Sequence, residues 1–222
     1  MPQQIGKKKF ANWKETIITS AVILLCLILV YFFPTEGPFQ TFSRNLFFLA
    51  IIPALYIIFI LKRRLSDFGL NFSATKENGY WFLGTLLLSL LVSFVLIKFT
   101  SFKGSYTLSD YAIENFGWFL VYELIFVNFW LFFNEAFYRG FVFFAFAEKY
   151  KYWSILISTF LFTLFLFLTK TLSWNMSPYL IISLTGGWLA FKTRSFVYSY
   201  LMGLLFIMIL DGYIIYTLKQ SF

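Results

Sequence analysis

Four ionisable side chains fall inside long apolar runs: Glu123, Glu135, Arg139 and Asp211. Within a bilayer each costs on the order of 2.5–3.5 kcal/mol on insertion scales, so each needs a partner or a purpose. Glu135 and Arg139 stand four residues apart. At roughly 100° per residue, that spacing puts them about 40° apart on one helix face. With the acid first, it is the favoured order for an ion pair within a helix. Asn128 lies seven residues before Glu135, on the same stripe. A helix with such a stripe must turn it toward other helices. The stripe reads either as an ion pair that locks the helix to its neighbours or as a catalytic or binding site. Glu123 and Asp211 each lie about six residues, or ~9 Å, inside one end of their runs. They are a possible acidic pair at the outer side, able to share a proton or hold a cation; alternatively they reach the headgroup layer.

Other chemistry is scarce. The chain has 0 histidines and 1 cysteine, Cys26, which sits in an apolar run. No disulfide framework and no Cys–His metal site can be assembled from that set, and no metal or cofactor is expected. The formal net charge is +8. The basic residues flank apolar blocks instead of forming a basic domain, so nucleic acid is not the expected partner.

The elements that must position these residues are membrane helices. The sequence is 60% hydrophobic and only 13% charged, against about 25% charged in a soluble domain. Apolar blocks near the ~20 residues that span a bilayer run over 16–33, 45–61, 80–97, 118–146, 153–169, 178–191 and 196–218. The block at 178–191 is the shortest. No sustained apolar–polar alternation supports a membrane β-barrel. The expected fold is an all-α, polytopic transmembrane helix bundle of about seven spans. It forms a single transmembrane domain over 1–222, with a basic cytoplasmic N-terminus over 1–14.

Orientation follows from the loops. With the N-terminus inside, Lys7, Lys8, Lys9, Lys14, Lys62, Arg63, Arg64, Lys76, Lys149, Lys151, Lys192 and Arg194 fall inside, and Arg44, Lys98, Lys103, Lys170 and Lys219 fall outside. That bias predicts N-inside and C-outside. Lys7 to Lys9 ahead of an apolar stretch could suggest a signal peptide, but Pro34-Thr35-Glu36 offers no small-residue cleavage pattern, so an uncleaved first helix is expected. Phe10, Trp13, Tyr80, Trp81, Tyr150 and Trp153 flank helices as interface anchors. Leu65 to Leu70 is expected to lie in the membrane surface. Ser183 and Gly187, and Ser199 and Gly203, form small-xxx-small pairs suited to close helix packing.

Against that background, Asn134-Glu135-Ala136-Phe137-Tyr138-Arg139-Gly140-Phe141 resembles the E-E-x-x-x-R-G motif of the CPBP family. These are the intramembrane proteases that include CAAX prenyl proteases and bacteriocin-processing or immunity (Abi) proteins. The segment from Gly186-Gly187 through Arg194-Ser195-Phe196 is similar to that family's Gly-rich helix and basic turn, and Phe68-Gly69-Leu70 to a short upstream motif. The resemblance covers about 65–211. It implies that the first Glu activates water, that the second pairs with the Arg, and that two later histidines complete the site. By position, Glu135 and Arg139 match the structural pair and Asn134 takes the place of the catalytic Glu. On the fifth helix no histidine follows Phe160, Phe162 or Phe165. Met202 and Phe206 stand where the later His and Asn are expected.

An amide cannot act as a general base near neutral pH, and neither Met nor Phe replaces an imidazole. The resemblance therefore implies a catalytically inactive CPBP-type membrane protein, a pseudoprotease. It is expected to act as a scaffold, chaperone or accessory subunit for another membrane or exported polypeptide in the inner membrane of a bacterium, surrounded by membrane lipids. The alternatives are an active intramembrane endopeptidase with a rearranged site using Glu135, and a small transporter resting on Glu123 and Asp211.

Overall fold

The computed structural model describes residues 13–106 and 108–220. The expected basic N-terminus with Lys7, Lys8, Lys9 and Phe10 lies outside the described residues. Seven principal helices form among the described residues: α1 (Trp13–Phe32), α2 (Pro38–Ile60), α3 (Lys76–Phe99), α4 (Phe116–Tyr150), α5 (Trp153–Leu168), α6 (Ser177–Thr193) and α7 (Phe196–Lys219). Each expected block becomes a helix because, in lipid, a helix satisfies its own backbone polar groups. Five of them (α1, α2, α3, α4 and α7) are long and apolar enough to cross a membrane. The 16 residues of α5 and 17 of α6 reach only about 24–26 Å at ~1.5 Å per residue, short of the ~30 Å core. α4 is the reverse: its 35 residues exceed what a span requires. Wider π-type winding interrupts it over Tyr122–Val127 and Ala136–Val142.

On α3 the packing puts small and polar side chains inside and large apolar ones outside. On α3, Thr85, Ser89 and Ser93 are buried against α6 and α7, while Leu83, Leu87, Leu91 and Phe94 are exposed. In a bilayer the exposed row meets acyl chains, so burial gains little and close packing plus interhelical hydrogen bonds hold the helices together. Ser89 Oγ donates to Thr185 Oγ1 at 2.9 Å, and Ser183 Oγ to Thr159 Oγ1 at 2.9 Å. The two small-residue pairs face different neighbours. Ser183 and Gly187 meet α5, where a Cβ on Gly187 would come within 2.8 Å of Ile155. Ser199 and Gly203 meet α6 and α4, at Gly186, Ile182 and Leu131.

The segment after α2 is bonded to the far end of the chain. Leu65–Phe68 is a tight 3-10 turn that packs against the α6–α7 connection. Gly69 adopts φ 81°, its carbonyl accepts from the Phe196 amide at 3.0 Å, and Ser195 Oγ donates to that same carbonyl at 3.2 Å. A Cβ at Gly69 would sit 2.2 Å from the Phe144 ring and 2.9 Å from the Phe196 amide nitrogen. The upstream turn, the end of α4 and the start of α7 thus meet at one glycine. Strain at a left-handed position costs about 1–3 kcal/mol, so Gly69→Ala should lower the thermal unfolding midpoint of the detergent-purified protein. An unchanged midpoint would mean that this junction does not bear on stability.

Candidate functional site

The site is built on α4, which turns one side toward α7 and the other toward a cavity. On the α7 side, Arg139 Nε lies 3.5 Å from Glu135 Oε1, and both side chains are 2% exposed. The second carboxylate oxygen accepts a 2.5 Å hydrogen bond from Ser199 Oγ on α7. The guanidinium also lies 5.9 Å from the centre of the Phe162 ring on α5, where the ring face favours a cation. Seven residues back along α4, Asn128 accepts a hydrogen bond from the Tyr200 hydroxyl, again on α7. The polar stripe therefore docks α4 on α7. Space for it comes from Gly186 on α6, where a Cβ would fall 2.2 Å from Ser199 Oγ and displace the hydroxyl that holds Glu135.

Asn134 occupies the other wall. It lines a cavity of about 380 Å³ together with Arg44, Asn45, Trp130, Phe162 and Thr171, and Glu135 is not part of that lining. Asn134 Nδ2 donates to the Trp130 carbonyl one turn earlier at 2.7 Å. Neighbouring positions on a helix are about 100° apart, which here separates the amide in the cavity from the carboxylate in the protein interior. Phe162 and Phe165 line the same cavity, whereas Phe160 is exposed on the lipid side. Met202 and Phe206 are fully buried on α7 in an apolar cluster with Leu86, Leu189 and Leu210, and neither lines the cavity.

Glu123 and Asp211 are brought together. Both are buried, and neither Glu123 carboxylate oxygen has a hydrogen-bond partner among the described residues. Tyr106 donates its hydroxyl to Asp211 Oδ1 at 2.8 Å. A buried carboxylate without such a partner needs a proton or a cation. Burial, then the nearby Asp211 charge, pushes the Tyr106 hydroxyl above its ordinary value, so it stays a donor. Neither acid lines the Asn134 cavity. Ser199, Tyr200 and Tyr106 were not legible as partners from sequence. Each meets its acceptor across 64 or more residues, and no local pattern encodes such pairings.

The comparison with protein families falls on this geometry. Residues 115–208 match the family of type II CAAX prenyl endopeptidase Rce1-like proteins. The resemblance to CPBP proteases read from the motifs holds over that segment. The Rce1-like segment starts just before α4 and ends within α7, so it contains Asn134, Glu135, Arg139, Met202 and Phe206 and leaves α1 to α3 outside. No curated protein and no solved structure matches the chain.

Removing one partner of a buried ion pair typically costs about 3–5 kcal/mol, because the other charge is left alone. Arg139→Ala should therefore lower the folded yield in detergent, and the double variant Arg139→Ala/Glu135→Ala should recover part of it. A double variant no better than the single one would show that the two residues are not coupled.

Proposed function

We propose that this Rce1-like membrane protein is catalytically inactive and binds another membrane or exported polypeptide, as a scaffold, chaperone or accessory subunit. The observation that carries this reading is Asn134. The position that the family resemblance assigns to the water-activating carboxylate holds an amide whose nitrogen is already bonded to a backbone carbonyl. General acid–base catalysis by a positioned side chain contributes typically about 10²–10⁴-fold, and an amide can orient water without deprotonating it. Glu135 is a poor substitute. It lies outside the cavity, and its two oxygens face Arg139 and Ser199. What remains is the helix framework, which suits holding a chain better than cutting one. The purified protein should cleave neither prenylated CAAX peptides nor a partner that co-purifies from native membranes, and Asn134→Glu alone should not create cleavage. Turnover abolished by Glu135→Gln in a folded protein would overturn this reading in favour of a rearranged protease.

We further infer a multi-pass arrangement with N-inside and C-outside in a bacterial inner membrane. One end of the bundle gathers basic groups: Arg63 pairs with Glu15 at 3.1 Å, Lys149 lies 3.5 Å from the centre of the Trp13 ring, and the Arg194 carbonyl accepts from Asn71 at 2.9 Å. Such an end is expected on the cytoplasmic side. A reporter fused after Phe222 should be active on the outer side; cytoplasmic activity there would reverse the orientation or change the number of spans.

A further inference from the structure

α1 and α5 frame a cleft open to the lipid side. Toward the Trp153 end it forms an apolar groove of about 550 Å³, and toward the far ends of both helices a second groove of about 310 Å³. The two adjoin at Leu24 and Leu161, in line along the same pair of helices. The second groove in turn adjoins the Asn134 cavity at Tyr31 and Phe165. Charge enters only there. Arg44 lines the cavity beside Asn45, Thr169 and Thr171, and it is the one charged residue in the lining of the three spaces.

The surroundings of Arg44 are unusual for a half-buried cation. Its Nε donates to Asn45 Oδ1 at 3.2 Å, and no carboxylate among the described residues pairs with it. A guanidinium carries about five N–H donors, so this one retains donors for a ligand. Arg44 lies six residues inside the Pro38 end of α2, about 9 Å along the axis. That depth is near the headgroup boundary and far from the bilayer centre. A cation placed there at a cost is balanced when an anion occupies the space in front of it, and the planar fork of arginine matches phosphate oxygens.

We propose that the cavity and the cleft together bind one anionic phospholipid, with its phosphate on Arg44 and an acyl chain along the slot between α1 and α5. The volumes fall in the range of small-ligand pockets, about 300–1,000 Å³. The order of chemistry along the slot, a fixed cation with hydroxyls and amides and then apolar walls, is that of a lipid read from head to tail. This site goes beyond the proposed scaffold role and stands whether or not the protein cuts peptides, because it rests on Arg44 and the cleft and not on Asn134.

The test uses the full chain purified in mild detergent. Native mass spectrometry should find phosphatidylglycerol retained in preference to phosphatidylcholine. After delipidation, phosphatidylglycerol should raise the unfolding temperature, and phosphatidylcholine with the same chains should not. A charge-assisted contact is worth about 1.5–3 kcal/mol, so Arg44→Gln should weaken phosphatidylglycerol binding at least about tenfold, while Arg44→Lys should keep the preference for the anionic lipid. Ile28→Trp, which fills the slot, should weaken the long-chain lipid without changing any response to inorganic phosphate. Equal stabilisation by both lipids overturns the proposal, as does Arg44→Gln holding phosphatidylglycerol as tightly as the wild type. A full response to inorganic phosphate alone, or a co-purified peptide in place of lipid, overturns it too. If Arg44→Gln does not fold, the comparison of the two lipids on the wild-type protein still decides.

Discussion

A buried carboxylate beside a buried guanidinium is the constraint on which the other arrangements depend. Glu135 and Arg139 cannot face lipid, where a lone charge is costly, so α4 must turn that side to another helix. α7 answers with Ser199 on the carboxylate and Tyr200 on Asn128. For Ser199 to fit, α6 must have no side chain opposite it, and Gly186 supplies that. For α6 and α7 to approach so closely they must be joined tightly, and the Thr193–Phe196 connection is held by the backbone of Gly69 and Asn71. Motifs far apart in sequence are thus parts of one mechanical junction.

That junction does not depend on the chemistry of the cavity. The pair and its glycines maintain helix packing, and they do so whether or not the cavity on the other side of α4 holds a base. Asn134 faces that cavity and Glu135 does not. The residue type at 134 therefore does not bear on the α4–α7 interface. The cavity on that side is a space of defined shape, and an apolar groove adjoins it at Tyr31 and Phe165.

The rest of the bundle follows the rules of a lipid solvent. On α3, serines and threonines point inward and leucines outward, while the centre of the bundle also buries large rings such as Phe137, Phe141 and Phe206. The second buried polar group, Glu123 and Asp211 with Tyr106 bonded to Asp211, sits beside a short helical connection. There a loop tyrosine can reach into the bundle.

The sequence by itself determined that the chain is a helical membrane protein. Apolar blocks of span length leave no alternative in lipid, and each of the seven blocks is a helix. Local spacing also determined the Glu135–Arg139 contact, since four residues along one helix fix a distance whatever surrounds it. The motifs at Asn134 to Gly140 and Gly186 to Phe196 were legible as a family pattern and fall within the segment that matches the family. Only the tertiary structure decided what those pieces touch. Ser199 looked like a packing residue and is the hydrogen-bond donor to Glu135; Gly69 and Asn71, with no partner legible in the sequence, clasp the α6–α7 turn. Arg44 looked like one more flanking cation and lines the cavity. In each case the partner lies many residues away, on another helix. Helix azimuth and depth, which bring the two together, are set by the packing of the whole bundle and leave no periodic trace in either segment.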